Sequence, residues 1–156
     1  MIRHAKAEPA THLKKDRERD LTDDGIKLLQ ESCAIWKNYV NGFDFILSSP
    51  LKRAVHTAEI IADFFDYQEE IITDNSLAPG STANAIIQLA ESLKVERLAF
   101  IGHQPDIGNQ ISSLISNSEV NLKIPSASII NISFDGNLKI GKGILIFFLP
   151  PVSKLL

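Results

Sequence analysis

Residues 43–58 read FDFILSSPLKRAVHTA, a short apolar run that leads through a polar turn into a helical pattern. The run 43–47 predicts a short strand, because strands covered on both faces of an α/β sheet are apolar at almost every position. Ser49 is the predicted N-cap of the following helix, and Pro50 is its predicted first residue. Beyond Pro50, apolar residues recur three and four positions apart, so one face of this helix is predicted to pack on the sheet.

The same order of elements recurs along the rest of the chain, after a polar segment of about 22 residues that is predicted to be mostly surface loop. Further helices are predicted at 22–40, where Thr22 is the N-cap, at 81–93 and from 103 onward, and further strands at 71–72, 97–102, 127–134 and 138–149. The last two strands flank Asp135-Gly136-Asn137, which is a strong hairpin signal.

Strands and helices alternate through most of the chain, which is the pattern of a largely parallel sheet covered on both faces. We therefore predict a three-layer α/β/α fold, with a mostly parallel sheet of about six strands and an antiparallel hairpin at one edge. The chain has 156 residues and no internal repeat or linker, so residues 1–156 are predicted to form a single domain.

The charge balance is slightly acidic: 16 Lys and Arg residues against 19 Asp and Glu residues give a formal net charge of −3. Such a chain has no overall positive field, so nucleic acid and membrane surfaces are not expected as partners. The longest apolar run, 143–149, is far shorter than the ~20 residues of a membrane span. The single cysteine, Cys33, cannot form a disulfide within the chain and no signal peptide is visible, so we expect a cytoplasmic protein.

Three polar segments lie at the positions where open α/β sheets bind ligands, just beyond the carboxyl ends of strands. They are Arg3-His4 near the start of the chain, Ser48–Arg53, and Gly102–Pro105. The second and third lead directly into helices, whose free backbone N–H groups and dipoles favour a bound anion such as phosphate. The sequence therefore predicts a local cationic pocket on an acidic protein.

These segments resemble the motifs of a known family. Arg3-His4, Ser-Ser-Pro-Leu-x-Arg-Ala-x-x-Thr-Ala at 48–58 and Ile-Gly-His-Gln-Pro at 101–105 are together similar to the histidine phosphatase (phosphoglycerate mutase-like) superfamily. The short chain, the segments 3–8 and 19–25, and the closing Phe-Leu-Pro resemble the SixA-type phosphohistidine phosphatases within it. The resemblance implies a phosphoglycerate mutase-like fold and a phosphatase that needs neither a metal ion nor another cofactor.

The resemblance also implies a role for each matching residue. His4 would be the nucleophile that forms a phosphohistidine, which water then hydrolyses. Arg3 and Arg53 would bind the phosphoryl oxygens through their planar guanidinium groups, and Arg19 would be a further clamp carried by the loop. His103 would donate a hydrogen bond to a phosphoryl oxygen and stabilise the transition state.

Other positions near the predicted pocket are more ordinary or depart from the family pattern. Ser49 is expected to contact the substrate, whereas His12 and His56 are expected to be surface residues. Ala5 follows His4 where most members have glycine, and alanine is frequent there in SixA-type sequences. Members normally have several strand residues before the Arg-His pair; here there are two, so the first strand is expected to be a stub.

Residues 75–80 bear on the substrate, because phosphomonoesterases of this superfamily usually carry a Glu or Asp general acid there. This chain has no carboxylate in that stretch, and Asp74 is the nearest one. An alkoxide leaving group needs a proton donor, whereas an imidazole, with a pKa near 6.5, can leave as a neutral ring. We therefore predict hydrolysis of a P–N bond, with a phosphorylated histidine on a phosphotransfer protein as the substrate. Two alternatives remain open: a small-molecule phosphomonoesterase of the same superfamily, and a non-enzymatic module that binds phosphate or a phosphoprotein.

Overall fold

The computed structural model describes residues 1–152, which form a six-stranded sheet and four α-helices. The strands are β1 (Ile2–Arg3), β2 (Phe45–Ser48), β3 (Ile72–Thr73), β4 (Leu98–Gly102), β5 (Ile129–Ser133) and β6 (Ile144–Leu149). The helices are α1 (Asp23–Trp36), α2 (Lys52–Phe64), α3 (Ala83–Leu93) and α4 (Asp106–Ile115), and short 3₁₀ turns lie at Asp16–Glu18 and Asn75–Leu77.

The strand order across the sheet is β3-β2-β4-β1-β5-β6. The pairs β2–β3, β2–β4 and β1–β4 are parallel, whereas β1–β5 and β5–β6 are antiparallel. The predicted α/β sheet with an antiparallel hairpin at one edge is therefore confirmed. The two-residue β1 lies inside the sheet, so the expected very short first strand is also observed.

Separate apolar clusters cover the two faces of the sheet, because successive side chains of a strand point to opposite sides. Ile46 belongs to the core that contains Leu29, Trp36 and Ile61 from α1 and α2. The next residue, Leu47, belongs instead to a core with α3 and α4 side chains such as Ile86 and Leu114. The helices thus form an outer layer on each face, as the alternating sequence pattern predicts.

Helix α1 begins as predicted and ends earlier. The Thr22 hydroxyl caps it by accepting a hydrogen bond from the Gly25 N–H at 3.1 Å. The helix ends at Trp36, so the predicted continuation to Val40 is wrong. Val40 still packs against the same core as Trp36, which explains why the apolar spacing continues after the helical geometry has ended.

The predicted N-cap role of Ser49 is wrong. Helix α2 begins at Lys52, with Leu51 in the cap position and no side-chain cap hydrogen bond. The Ser49 side chain is fully buried, and its hydroxyl lies 2.7 Å from Nε2 of His103. The hydroxyl also accepts from the Leu51 N–H at 3.4 Å, but it bonds to no N–H group within the helix itself.

The connection within the β5–β6 hairpin is longer than predicted, because β6 begins at Ile144 and not at Leu138. Two backbone N–H groups of the connection bond to the end of α4: Gly141 to the Ser113 carbonyl and Gly143 to the Leu114 carbonyl, both at 2.8 Å. The residues before β6 are therefore drawn onto α4 and cannot extend the ladder with β5.

Candidate active site

The centre of the sheet brings the two predicted catalytic histidines together. Arg3 and Gly102 are paired in register on the parallel strands β1 and β4, so the residues that follow them leave the sheet side by side. The His4 N–H donates to the Gly102 carbonyl at 3.1 Å, and the rings of His4 and His103 lie 5.0 Å apart between centroids. The juxtaposition of these histidines follows directly from the parallel register.

The His4 ring is held in one tautomer. Its Nδ1 lies 2.7 Å from the Ala5 carbonyl oxygen, which can only accept a hydrogen bond, so Nδ1 carries the hydrogen and Nε2 carries the lone pair. Burial lowers the pKa of His4 to about 4, with further lowering by the nearby Arg53 and Arg3 charges, although the hydrogen bond to Ala5 opposes this shift. His4 is therefore a neutral imidazole at pH 7, with Nε2 available as a nucleophile.

His103 is also buried and neutral. Burial lowers its pKa to about 3, and repulsion from a protonated His4 and from the Arg53 charge contributes less. Its Nε2 faces the Ser49 hydroxyl, and its Nδ1 is buried without a hydrogen-bond partner among residues 1–152. When the hydroxyl donates to Nε2, the hydrogen of the ring lies on Nδ1, where it is free to donate to a ligand.

Two arginines meet at one carboxylate. Arg53 is almost fully buried; its Nη1 donates to the Asp16 backbone carbonyl at 2.8 Å and its Nη2 to Asp16 Oδ2 at 3.1 Å. Arg19 donates from Nη1 to Asp16 Oδ1 at 2.7 Å and from Nε to the Glu8 carbonyl at 2.6 Å. Arg19 and Arg53, predicted as clamps from distant parts of the chain, are therefore joined through Asp16.

Within residues 1–152, the Arg3 side chain makes one hydrogen bond and has one buried N–H group without a partner. Its Nη1 donates to the Ile124 carbonyl at 2.6 Å, and its Nε is buried without a partner in the described part of the chain. Arg3 directly precedes His4, and its positive charge contributes a small part of the lowering of the pKa of both His4 and His103. The structure thus gathers Arg3, His4, Arg19, Arg53 and His103, together with Ser49.

The structure also reveals residues that sequence reasoning missed. Thr57 is completely buried; its hydroxyl accepts from the Ala5 N–H at 3.1 Å and donates to the Arg53 carbonyl at 2.7 Å. It ties the backbone beside His4 to the helix that carries Arg53. Its place in the Arg-Ala-x-x-Thr motif was a usable signal, because a threonine four residues after an arginine lies on the same helix face.

His56, which was predicted to be an ordinary surface residue, is half-buried in an ion-pair cluster. Its Nδ1 lies 2.6 Å from Asp20 Oδ1, and Lys52 Nζ lies 2.7 Å from the other oxygen of the same carboxylate. His56 thus lies at the surface, as predicted, but in an ion-pair cluster that the sequence did not indicate. The loop before α1 supplies the carboxylate of this cluster. His12 is exposed, as predicted.

Glycine at position 25 fixes the path of the loop that carries Asp16 and Arg19. A Cβ at Gly25 would overlap the Lys6 carbonyl oxygen, so only glycine lets α1 approach so closely. The same carbonyl accepts from the Thr22 N–H at 3.0 Å, and the Glu8 N–H donates to the Asp20 carbonyl at 2.9 Å. Both ends of the loop are thus fastened near the site.

The buried histidines predict a specific dependence of stability on pH. Above pH 6.5 they are neutral in both the native and the unfolded state; below it the unfolded chain takes up protons that the native site takes up only near pH 4 and pH 3. The free energy of unfolding should therefore fall as the pH falls through 6.5. The free energy of unfolding, measured in urea, should fall between pH 7.5 and pH 5.5 by about 1 kcal/mol less in His103→Gln than in the wild type.

The matched control for this measurement is His12→Gln, which removes an exposed histidine. It should lose as much stability as the wild type over the same pH range. Equal pH dependence in the wild type and in His103→Gln would contradict the assignment of a buried neutral imidazole.

Residues 1–152 contain no group of three or more His, Cys, Asp or Glu side chains arranged to hold a metal ion. None of the helices in that part of the chain is both long and apolar enough to cross a membrane.

Comparison with known proteins places this site in a family. Residues 1–79, about half of the chain, match the family described as histidine phosphatase superfamily (branch 1). The matched part includes Arg3, His4, Arg19 and Arg53, whereas His103 lies beyond it. Among curated protein sequences, none matches the chain.

Solved structures resemble the whole chain at low sequence identity. The protein histidine phosphatase SixA complexed with tungstate is 20% identical, with a TM-score of 0.84 over 98% of this chain and 96% of that one. A putative phosphohistidine phosphatase SixA from Agrobacterium tumefaciens is 21% identical, with a TM-score of 0.80 over 96% and 95%. A phosphoserine phosphatase mutant from Entamoeba histolytica, in complex with phosphoserine, is 18% identical, with a TM-score of 0.69 over 94% and 93%. These similarities confirm the phosphoglycerate mutase-like fold.

Proposed function

The chain belongs to the histidine phosphatase superfamily (branch 1), and from that membership we propose that it is a metal-independent protein phosphohistidine phosphatase. One observation carries this proposal: a neutral His4, with its Nε2 lone pair free, lies beside His103 in the field of Arg3, Arg19 and Arg53. A nucleophile that must approach a phosphoryl group needs this combination of a lone pair and surrounding positive charge.

The reaction would proceed in two displacements at phosphorus. In the first, Nε2 of His4 attacks in line, the P–N bond of the substrate breaks, and its electron pair stays with the departing imidazole. That ring leaves as a neutral imidazole when its other nitrogen already carries a proton. In the second, the oxygen of a water molecule bonds to phosphorus, the water protons stay with the released phosphate, and the electron pair of the broken bond returns to Nε2.

The surrounding residues would stabilise charge during both steps. The open Nε donor of Arg3 and the unused N–H groups of Arg53 can bind the phosphoryl oxygens with planar geometry. The unpartnered Nδ1 of His103 can donate to a phosphoryl oxygen when the Ser49 hydroxyl bonds to Nε2. Ser49 contributes to the binding site in this way, through the orientation of His103.

The carboxylates near the site support a P–N bond over an ester as the bond that is cleaved. Hydrogen bonds from Arg19 and, more weakly, Arg53 lower the pKa of Asp16 although burial opposes them. Hydrogen bonds from the Ser76 side chain and backbone lower the pKa of Asp74. Both groups hold a proton poorly at neutral pH, so neither is suited to protonate an alkoxide.

The surroundings of the site support a protein substrate. An open groove of about 800 Å³ runs beside the site, between the 3₁₀ turn at Asp16–Glu18, the start of α2 and the turn at Asn75–Leu77. Its lining includes Arg17, Leu51 and His56. The groove does not include His4 itself, but Pro50, Leu51 and Lys52 of its lining lie in the chain between Ser49 and Arg53. The polypeptide that flanks a phosphorylated histidine could therefore lie in it. We include in the proposal a phosphotransfer protein as partner, a role in signal transduction and a cytoplasmic location.

The experiment that tests the proposal compares two peptides of identical sequence, one with phosphohistidine and the other with phosphoserine at the same position. We expect kcat/KM to be at least about 100-fold higher for phosphohistidine, since only the serine alkoxide needs a general acid. Release of inorganic phosphate is the measurement, with His4→Ala as the blank for spontaneous hydrolysis.

Each other result points to a different function. Faster hydrolysis of phosphoserine would favour the phosphomonoesterase alternative. The fold of this chain also resembles that of a phosphoserine phosphatase. Tight binding of both peptides without any release of phosphate would favour the non-enzymatic binding module.

A further inference from the structure

The Asp16 side chain occupies the cationic part of the site. One carboxylate oxygen lies 2.7 Å from Arg19 Nη1 and the other lies 3.1 Å from Arg53 Nη2. Two guanidinium groups that bind the same small anion form the arrangement that is typical of a phosphate site. The Asp16 carboxylate therefore takes the place of an anionic ligand.

The backbone of Asp16 has a separate contact that does not depend on this carboxylate. Its carbonyl oxygen accepts from Arg53 Nη1 at 2.8 Å, and the 3₁₀ turn that begins at Asp16 is closed by the bond from the Arg19 N–H to the same carbonyl. The Asp16 side chain itself is 56% exposed. It can therefore rotate into solvent while the loop stays attached to Arg53.

We propose that Asp16 is a specificity-determining residue that acts as a built-in competitor, which occupies Arg19 and Arg53 until a phosphoryl group displaces it. This inference rests on the proposed function, because it takes both arginines as phosphoryl-binding groups. A phosphoryl group offers three oxygens and up to two negative charges, whereas a carboxylate offers two oxygens and one charge. Only the stronger anion displaces Asp16, so weakly charged anions are kept from the nucleophile.

Asp16→Asn tests this proposal with little change in shape. Asparagine keeps the size of the side chain and one acceptor oxygen, and the backbone contact to Arg53 is unaffected. The variant should bind inorganic phosphate about tenfold more tightly than the wild type, since one charge-assisted competitor is lost. Isothermal titration calorimetry with inorganic phosphate measures this effect without any need for turnover.

The matched control is Glu18→Gln, which removes the same charge from the same 3₁₀ turn. Glu18 is exposed, and no hydrogen bond from either arginine reaches its side chain in the described structure. Its phosphate affinity should stay within about twofold of the wild type at 0.15 M salt, where exposed charges are largely screened.

Three results would overturn the proposal. Weaker phosphate binding by Asp16→Asn would make Asp16 a positioning residue for Arg53. If Asp16→Asn bound phosphate with the affinity of the wild type, or if Glu18→Gln increased the affinity by the same factor, Asp16 would not compete directly with phosphate. Absence of phosphate binding in both the wild type and Asp16→Asn would overturn the arginine site itself. The substrate preference is tested by the peptide pair alone, so a phosphatase that prefers esters would leave this titration interpretable.

Discussion

Replacement of His4 by alanine is expected to abolish turnover, with a fall in kcat of about 10⁴-fold or more. No other described residue presents a neutral, deprotonated ring nitrogen in the same position: His103 Nε2 is already bonded to Ser49. The variant should also fail to retain a phosphoryl group when it is rapidly quenched with a labelled substrate, whereas the wild type should carry the label on His4. Rapid-quench labelling and the rate of phosphate release are the two measurements.

His12→Ala is the matched control for His4, because it removes an exposed histidine from the same loop region. Its kcat and the amount of labelled phosphoryl group that it retains should equal those of the wild type. Both variants should keep the far-UV spectrum of the native fold. Full turnover by a folded His4→Ala protein would refute the covalent mechanism.

Replacement of Arg53 is expected to give the second largest effect. Arg53→Ala removes a buried donor pair from the pocket and leaves the Asp16 carboxylate with Arg19 alone, so kcat/KM should fall by about 10²–10³-fold. Arg53→Lys keeps the charge and loses the planar pair of donors, so it should recover only a small part of that loss. Steady-state kinetics with the phosphohistidine peptide measure both variants.

Arg97 supplies the control, because it is an arginine paired with a carboxylate away from the site. Its Nη2 lies 2.8 Å from Asp44 Oδ1, next to the start of β4 and β2, at the opposite end of these strands from His103. Arg97→Lys should leave kcat/KM unchanged. If Arg53→Lys were as active as the wild type, Arg53 would act as a distant charge and not as a clamp.

The order of strands and helices could be predicted because it depends on local periodicity. The apolar run before Ser48 and the helical spacing after Pro50 are present in the sequence itself, and the structure follows both. Element ends were less predictable because distant contacts decide them. The start of β6 depends on hydrogen bonds from Gly141 and Gly143 to α4, which no local pattern contains.

In the site, too, some features follow from local sequence patterns and others depend on distant contacts. The positions of His4 and His103 follow from the ends of two parallel strands, so motif order was enough to bring them together. The contact of Asp16 with Arg53 spans 37 residues and depends on how the loop folds back over α2. In the sequence Asp16 is one of several charges in a polar run, and nothing local distinguishes it from Glu18.

Two parts of the site differ in their resistance to local unfolding: His4, which follows the short strand β1, and the loop that carries Asp16 and Arg19. The amide of Arg3 donates to the Ser128 carbonyl, just before β5, and that of His4 donates to the Gly102 carbonyl at the end of β4, so His4 cannot fray without loss of contacts on both sides. Arg19 and Asp16 belong to a partly exposed loop, and segments of that kind open at a lower free-energy cost. Amide hydrogen exchange should therefore be slow at His4 and faster in the loop that carries Asp16 and Arg19. If the proposed function is correct, local opening between the two fastened ends of this loop would widen access for a bulky partner while the His4 ring keeps its place.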